Sequence, residues 1–282
     1  MKRYFFFLFL LLCQPILAEQ FQAPLTHTQW QVTTSPLECT LRQAIPDFGE
    51  AMFSRRTGQA LSLTYITTFF PAKAGQAVFE VAQALWQNSQ ARLALTTIPV
   101  TKGQTRFSIT GKPADNAFTH MREGRFPTLR YHSLNAHEEL EVFLSTVHLA
   151  DALPEFEQCL AQLYPDRFED VQHLTVYFEL EKAELSDKAR AALKRVADYV
   201  NIDPAVKRID VRGYTDNHGR KRLNIALSEA RALAVKNYLV KECHVPESKI
   251  TTSFHREFFP AKSNATAQGR AYNRRAEIEL FR

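Results

Sequence analysis

Two patterns of apolar residues predict an α+β chain of two domains, the first rich in antiparallel β-strands and the second alternating strand with helix. Between Gln59 and Leu149 short apolar segments with period-2 alternation are separated by Pro and Gly. Beyond Asp166 strand-like segments alternate with stretches of helical period. The change falls at Tyr164-Pro165-Asp166, a short connection. The expected divisions are a leader over 1–18, a β-rich domain over 19–165 and an α+β domain over 166–282.

The leader comes first. Lys2 and Arg3 precede an apolar run from Tyr4 to Leu12, and Pro15 and Ala18 come before Glu19. This reads as a secretory signal peptide cleaved after Ala18. The run is shorter than the ~20 apolar residues of a membrane-spanning helix. A lipid anchor on Cys13 is disfavoured, because Leu12 stands where a lipoprotein signal carries a small residue. The mature chain is expected in the periplasm.

The β-rich domain offers Leu61-Leu63-Tyr65, Phe79-Val81, Leu93-Leu95, Phe107-Ile109 and Leu140-Val142-Leu144 as strand segments. Pro71, Gly75, Gly103, Gly111, Pro113 and Gly124 mark the turns between them. A helix closes the domain, with Pro154 expected in its first turn and Phe156, Cys159, Leu160 and Leu163 on its inner face.

In the second domain Leu174-Val176-Phe178-Leu180 predicts a strand. Ser186 caps a helix whose inner face is Leu193, Val196, Ala197 and Val200, and Ile209-Val211 begins the next strand. Leu223, Leu227, Ala230, Ala234 and Tyr238 predict the stripe of a second helix. Ile250–Phe254 and Ala276-Ile278-Leu280 finish as strands, giving the order βαβαββ.

Hydrophobic residues make up 45% of the chain and charged ones 23%, an ordinary globular balance with material for two cores. Charge is uneven: residues 19–165 hold 11 basic and 13 acidic side chains, and residues 166–282 hold 22 and 17. The run Arg220-Lys221-Arg222 suggests nucleic acid only superficially, since export argues against it and a solvated loop explains it. Once Cys13 leaves with the leader, Cys39, Cys159 and Cys243 remain, and an oxidising compartment favours one disulfide. Of the three pairings, Cys39–Cys159 is favoured because both flank the first domain whereas Cys243 belongs to the second.

The richest chemistry lies in Val211-Arg212-Gly213-Tyr214-Thr215-Asp216, then Asn224, Leu227-Ser228, Arg231-Ala232 and Asn273-Arg274-Arg275. In a helix beginning near Arg222, Asn224 and Arg231 lie two turns apart on one face, and Asp216 can reach the same end. One carboxylate, one amide and several guanidiniums could thus converge on a small zwitterion. An ammonium asks for an acceptor-only anion and a carboxylate for a rigid fork of N–H donors, which Asp and Arg supply.

Thr-Asp, Asn, Leu-Ser-x-x-Arg-Ala and Asn-Arg-Arg in this order and spacing resemble the OmpA-like peptidoglycan-binding domain over about 166–282. The resemblance implies an α+β sandwich in which Asp216 takes the ammonium of diaminopimelate and Arg231 its carboxylate. Asn224, Leu227, Asn273 and Arg274 would complete or hold that site. One departure is visible. The family's Gly-x-Gly-Glu-like turn is replaced by Ser253-Phe254-His255-Arg256-Glu257-Phe258-Phe259-Pro260, which is expected to force a different turn and reshape one wall.

The first domain contains Ser35-Pro36-Leu37-Glu38-Cys39, Ile45-Pro46-Asp47-Phe48-Gly49-Glu50, Gly124-Arg125-Phe126-Pro127-Thr128 and Phe156-Glu157-Gln158-Cys159. These segments resemble the MotY family of the sodium-driven polar flagellar motor. The resemblance implies docking of 19–165 on the flagellar basal body beside a MotX-like protein, and anchoring of a PomA/PomB-type sodium stator to the wall.

Enzymatic readings are weak. Asp216 and His218 sit two apart, but no nucleophile, second carboxylate or metal-ligand spacing accompanies them, and the nine His form no HxxxH-type pair. No cofactor or metal is expected. Trp30 and Trp86 read as packing residues, Asn264-Ala265-Thr266 as a sequon without consequence in a bacterial compartment, and Arg274-Arg275 as a pair of which one could organise the site. The competing function is a general envelope-to-wall tether unrelated to motility.

Overall fold

The computed structural model describes residues 18–26, 28–83 and 91–282. Residues 1–17 of the expected leader and Trp86 lie outside these residues. The chain divides into two compact units after Leu163.

The first unit contains β1 (Glu19–Gln22), β2 (Trp30–Thr34), β3 (Glu38–Ile45), β4 (Gly49–Arg56), β5 (Ser62–Thr67), β6 (Gly75–Ala82), β7 (Arg92–Val100) and β8 (Arg106–Thr110). After them come α1 (Lys112–Arg122), β9 (Phe126–His132), β10 (Glu139–Phe143) and α2 (Leu149–Gln162). The strands form two five-stranded sheets, β1-β10-β9-β6-β7 and β2-β3-β4-β5-β8. All pairings are antiparallel except β1 on β10. Alternate residues of both sheets meet in one core, with Leu41, Phe53, Leu63 and Phe107 from one and Phe79, Leu129, Tyr131 and Val142 from the other.

All five expected strand segments correspond to strands, with Leu61 and Leu144 just beyond the ends of β5 and β10, and β1, β2, β3, β4 and β9 are added. In β3 the inward positions are Cys39, Leu41, Gln43 and Ile45, so a polar residue interrupts the apolar alternation. Gln43 can face inward because its side chain donates to Ser145 O at 2.8 Å and accepts from Ser145 N at 3.0 Å. The helix α1 was hidden behind Gly111 and Pro113, which read as a turn although Pro suits the first helical turn. The helix α2 begins at Leu149, so Pro154 is interior and not in the first turn as expected. Cys39 and Cys159 form a disulfide that joins β3 to α2 across 120 residues of sequence, while Cys243 is free.

The second unit contains α3 (Phe168–Val171), β11 (His173–Tyr177), α4 (Asp187–Ile202), β12 (Arg208–Tyr214), α5 (Lys221–Lys241), β13 (Ile250–Arg256), α6 (Ala267–Asn273) and β14 (Arg275–Phe281). The βαβαββ order is present, with the two-turn α6 inserted before the last strand. The sheet order is β11-β14-β12-β13, with β12 and β13 parallel and the other pairs antiparallel. Ser186 caps α4 by accepting from Ala189 N at 3.2 Å, and Leu193, Val196, Ala197 and Val200 are its buried face.

The inner face of α5 differs from the expected stripe. Its buried residues are Asn224, Ser228, Arg231, Ala232, Val235 and Leu239, whereas Leu223 is 62% exposed and Ala230 is exposed. The N-terminal half of the helix turns polar side chains inward, so an apolar stripe traced through it lands one position off. Gly213 of β12 lets this half approach the sheet, since a Cβ there would stand 2.0 Å from Ser228 O.

Candidate functional site

The loops after β11 and β12, the first half of α5 and the residue before β14 enclose a cleft of about 470 Å³. Its polar members include Asp216, Asn224, Arg231 and Arg274, and Leu180, Leu223, Leu227 and Ala230 supply apolar wall. Five of the six expected site residues therefore meet here.

Arg231 lies at the base with no exposed surface. Its Nε donates to Lys182 O at 3.0 Å, Nη1 to Tyr214 O at 2.8 Å and Nη2 to Glu179 O at 3.2 Å. Those three carbonyls belong to the loops after β11 and β12, so one guanidinium staples both walls together. The guanidinium carbon also sits 5.2 Å from the centre of the Phe178 ring. Burial pushes its pKa down to about 10, with Asp216 opposing the shift and Arg274 adding to it.

Asp216 is held from two sides. Its Oδ1 accepts from His218 N at 3.0 Å, an Asx turn, and Oδ2 accepts from Arg274 Nη1 at 3.1 Å. Asn224 Nδ2 donates to the Asp216 main-chain O at 3.3 Å, and Arg274 Nε donates to Phe178 O at 3.2 Å. Thr215 is 2% exposed, and its Oγ1 has no hydrogen-bond partner although the residue lines the cleft. At the base two guanidiniums face one carboxylate, and Glu181 stands at the exposed rim.

Asn273 is placed elsewhere. It is fully buried, accepts from Lys262 N at 3.0 Å and donates to Lys262 O and Asn264 Oδ1 at 2.8 Å each. Its amide latches the segment before α6 and does not line the cleft. Arg275 likewise organises: Nε donates to Glu277 Oε1 at 2.7 Å and Nη2 to Phe259 O at 2.9 Å.

The glycine-free turn over 253–260 does not line the cleft, contrary to the expected reshaping of a wall. Arg256 (φ 52°) and Phe259 (φ 57°) adopt the left-handed backbone that glycine would take at no steric cost. The turn instead braces the cleft from behind, because Thr215 N donates to Arg256 O at 2.8 Å and His255 stacks on Tyr214 at 5.3 Å. Sequence reasoning also missed Leu180, Leu223 and Ala230 as wall. Leu223, Leu227 and Ala230 carried a helical-spacing signal, but it was assigned to the core.

The second unit, a four-stranded sheet with a carboxylate–guanidinium cleft at its loop end, is an OmpA-like domain, and the OmpA family model matches residues 177–274. The whole chain is more particular. It belongs to the family defined by the MotY N-terminal domain, whose model matches residues 21–165, just over half of the chain. It is 27% identical over 271 residues to the sodium-type flagellar protein MotY of Vibrio parahaemolyticus, covering 95% of this chain and 92% of that one. It is 37% identical over 107 residues to outer membrane porin F of Pseudomonas aeruginosa, where the match covers 38% of this chain and 30% of the porin. Among solved structures, the peptidoglycan-associated lipoprotein of Burkholderia pseudomallei is 27% identical with a TM-score of 0.36, over 38% of this chain and 89% of that one. Among the described residues no helix is long and apolar enough to cross a membrane, and no group of three or more His, Cys, Asp or Glu could hold a metal ion.

Proposed function

We propose that this chain is a periplasmic component of a sodium-driven flagellar motor, docked on the basal body by residues 19–165 and bound non-covalently to peptidoglycan by residues 166–282. The observation that carries the wall-binding half is the base of the cleft, where Arg274 pairs with Asp216 and the buried Arg231, bonded only to main-chain carbonyls, feels that one carboxylate through space. A second anion is favoured there, because a desolvated guanidinium gains most from a countercharge. The amino-acid end of diaminopimelate brings a carboxylate for the guanidiniums and an ammonium for the remaining lone pairs of Asp216. The unpartnered Thr215 hydroxyl and the Asn224 amide add short-range polar contacts, and Leu223 and Leu227 flank the methylene chain.

The motor half rests on likeness to MotY along almost the whole chain. A stator delivers torque only when its reaction force is borne by a rigid body, and the cell wall is the rigid element of the envelope. An adaptor with one end on the basal body, beside a MotX-like protein, and the other on the wall would anchor a PomA/PomB-type stator. Copies arranged round a basal body would make weak wall contacts cumulative. The role is one of binding and bearing, with no enzymatic step.

The test is a strain lacking this chain that keeps its filaments. Paralysed cells whose basal bodies lose a periplasmic ring support the reading. Normal swimming overturns it and leaves a general wall tether.

A further inference from the structure

We propose that a groove alongside β11 receives the peptide stem leading out of the cleft, an inference that rests on the wall-binding reading above. The groove holds about 710 Å³ and lies between β11, the first turns of α4 and the helix α6. Arg274 lines both cavities, so a ligand held by the cleft can continue past the same side chain into the groove.

The wall of this groove is an unpaired strand edge. β11 pairs only with β14 among the described residues, and it ends the sheet. Phe178 N donates to Arg274 O and Leu280 N donates to Gln172 O, so alternate residues of this strand bond to β14. By that alternation the N–H and C=O groups of Thr175 and Tyr177 face the open edge. An extended peptide adds to such an edge through its own amides. A wall stem is a short peptide whose amide groups must be met once it leaves water.

The remaining features fit the same occupant. Tyr177 and Tyr272 are 48% and 41% exposed, and their rings meet edge to face at 5.7 Å on the groove wall. Such half-buried rings give a stem apolar area with little ordering cost. The γ-linked D-glutamate of the stem keeps a free α-carboxylate, and Lys188 on the groove wall offers a cation for it, although Glu179 and Glu184 also line the groove.

Titration of the full chain with free meso-diaminopimelate and with L-alanyl-γ-D-glutamyl-meso-diaminopimelate tests this. The tripeptide is expected to bind about tenfold more tightly. Ala192→Trp, which fills the groove from α4, brings the tripeptide to the affinity of the free amino acid and leaves the latter unchanged. Tyr272→Ala, which opens the groove instead of filling it, lowers tripeptide affinity selectively. Equal affinities in the unaltered chain, or a tripeptide preference that survives both substitutions, overturn the inference while the cleft reading stands. Failure of both ligands to bind the unaltered chain removes the cleft reading itself.

Discussion

Asp216 and Arg274, 58 residues apart, form a 3.1 Å ion pair in which the carboxylate side chain is 6% exposed and the guanidinium 16%. The pair joins the loop after β12 to the residue before β14, and so fixes one carboxylate beside two guanidiniums. Asp216→Ala removes the ion-pair partner of Arg274 and the only carboxylate at the base of the cleft, and with it the proposed ammonium acceptor. Binding to purified sacculi is expected to be lost, with a stability cost of roughly 1–3 kcal/mol from the unpaired groups. Cosedimentation with sacculi and thermal unfolding of the same preparation check both parts. Undiminished cosedimentation would remove Asp216 from the site.

Arg231→Ala is expected to cost folding stability as well as ligand binding. Three main-chain carbonyls lose their donor at once, and they lie on both loops that wall the cleft. The expected loss is about 3–5 kcal/mol, with faster amide hydrogen exchange over 179–182 and 214–216. Arg231→Lys keeps a charge but cannot span three acceptors, so it should recover part of the stability and little of the binding.

The fold class and most of the cleft were legible because they rest on regular signals. Ser186, the apolar face of α4 and the alternation in β5, β8 and β14 follow periodicities that burial enforces. Two of the misreadings share one cause, a buried polar residue at a position that should be apolar, while α1 was hidden by turn-like Gly111 and Pro113. Gln43 hid β3, and Asn224, Ser228 and Arg231 displaced the reading of α5. Gln43, Asn224 and Arg231 are met by hydrogen bonds that come from other elements of the fold, whereas Ser228 returns its hydroxyl to Ile225 O of the preceding turn. Asn273 was expected beside the cleft, but the sequence could not show that its amide is spent on Lys262 and Asn264, outside it.

Gly213→Ala tests whether α5 must lie close to β12. The new methyl would stand 2.0 Å from Ser228 O and 3.1 Å from Ala232 N, both main-chain atoms that yield only if the helix moves. Destabilisation of roughly 1–3 kcal/mol is expected, with weaker sacculus binding because Asn224 and Arg231 ride on the same helix. Wild-type stability measured by urea unfolding would show that the helix can shift without cost.

The disulfide gives a prediction confined to the first unit. Closing 120 residues of sequence contributes about 4–5 kcal/mol on the chain-entropy account. Cys39→Ser should therefore lower the unfolding midpoint and the periplasmic abundance of the chain, whereas Cys243→Ser should change neither appreciably. Equal effects of the two substitutions would contradict this assignment.

Asp203 and Arg282 couple the second unit to pH. Burial of Asp203 raises its pKa, but the Ala205 N–H at 2.9 Å, Arg282 and the Tyr199 hydroxyl outweigh it and hold the carboxyl below its ordinary value. A carboxyl with a depressed folded pKa adds stability above its unfolded pKa and loses it as pH falls through the folded one. Arg282→Ala removes two hydrogen bonds to Asp203 Oδ2, at 2.9 and 3.2 Å, and one to Tyr199. The expected cost is roughly 1–2 kcal/mol at neutral pH, since the guanidinium is 44% exposed and partly screened. That difference should shrink as pH falls below the ordinary Asp range, because protonation weakens the same contact in the unaltered chain. Urea unfolding of both forms between pH 2 and 7 measures it (~0.5-unit steps suffice), and a gap that stays constant to the lowest pH would show that Arg282 acts through its stacking on Phe168 at 4.1 Å instead of through the carboxylate.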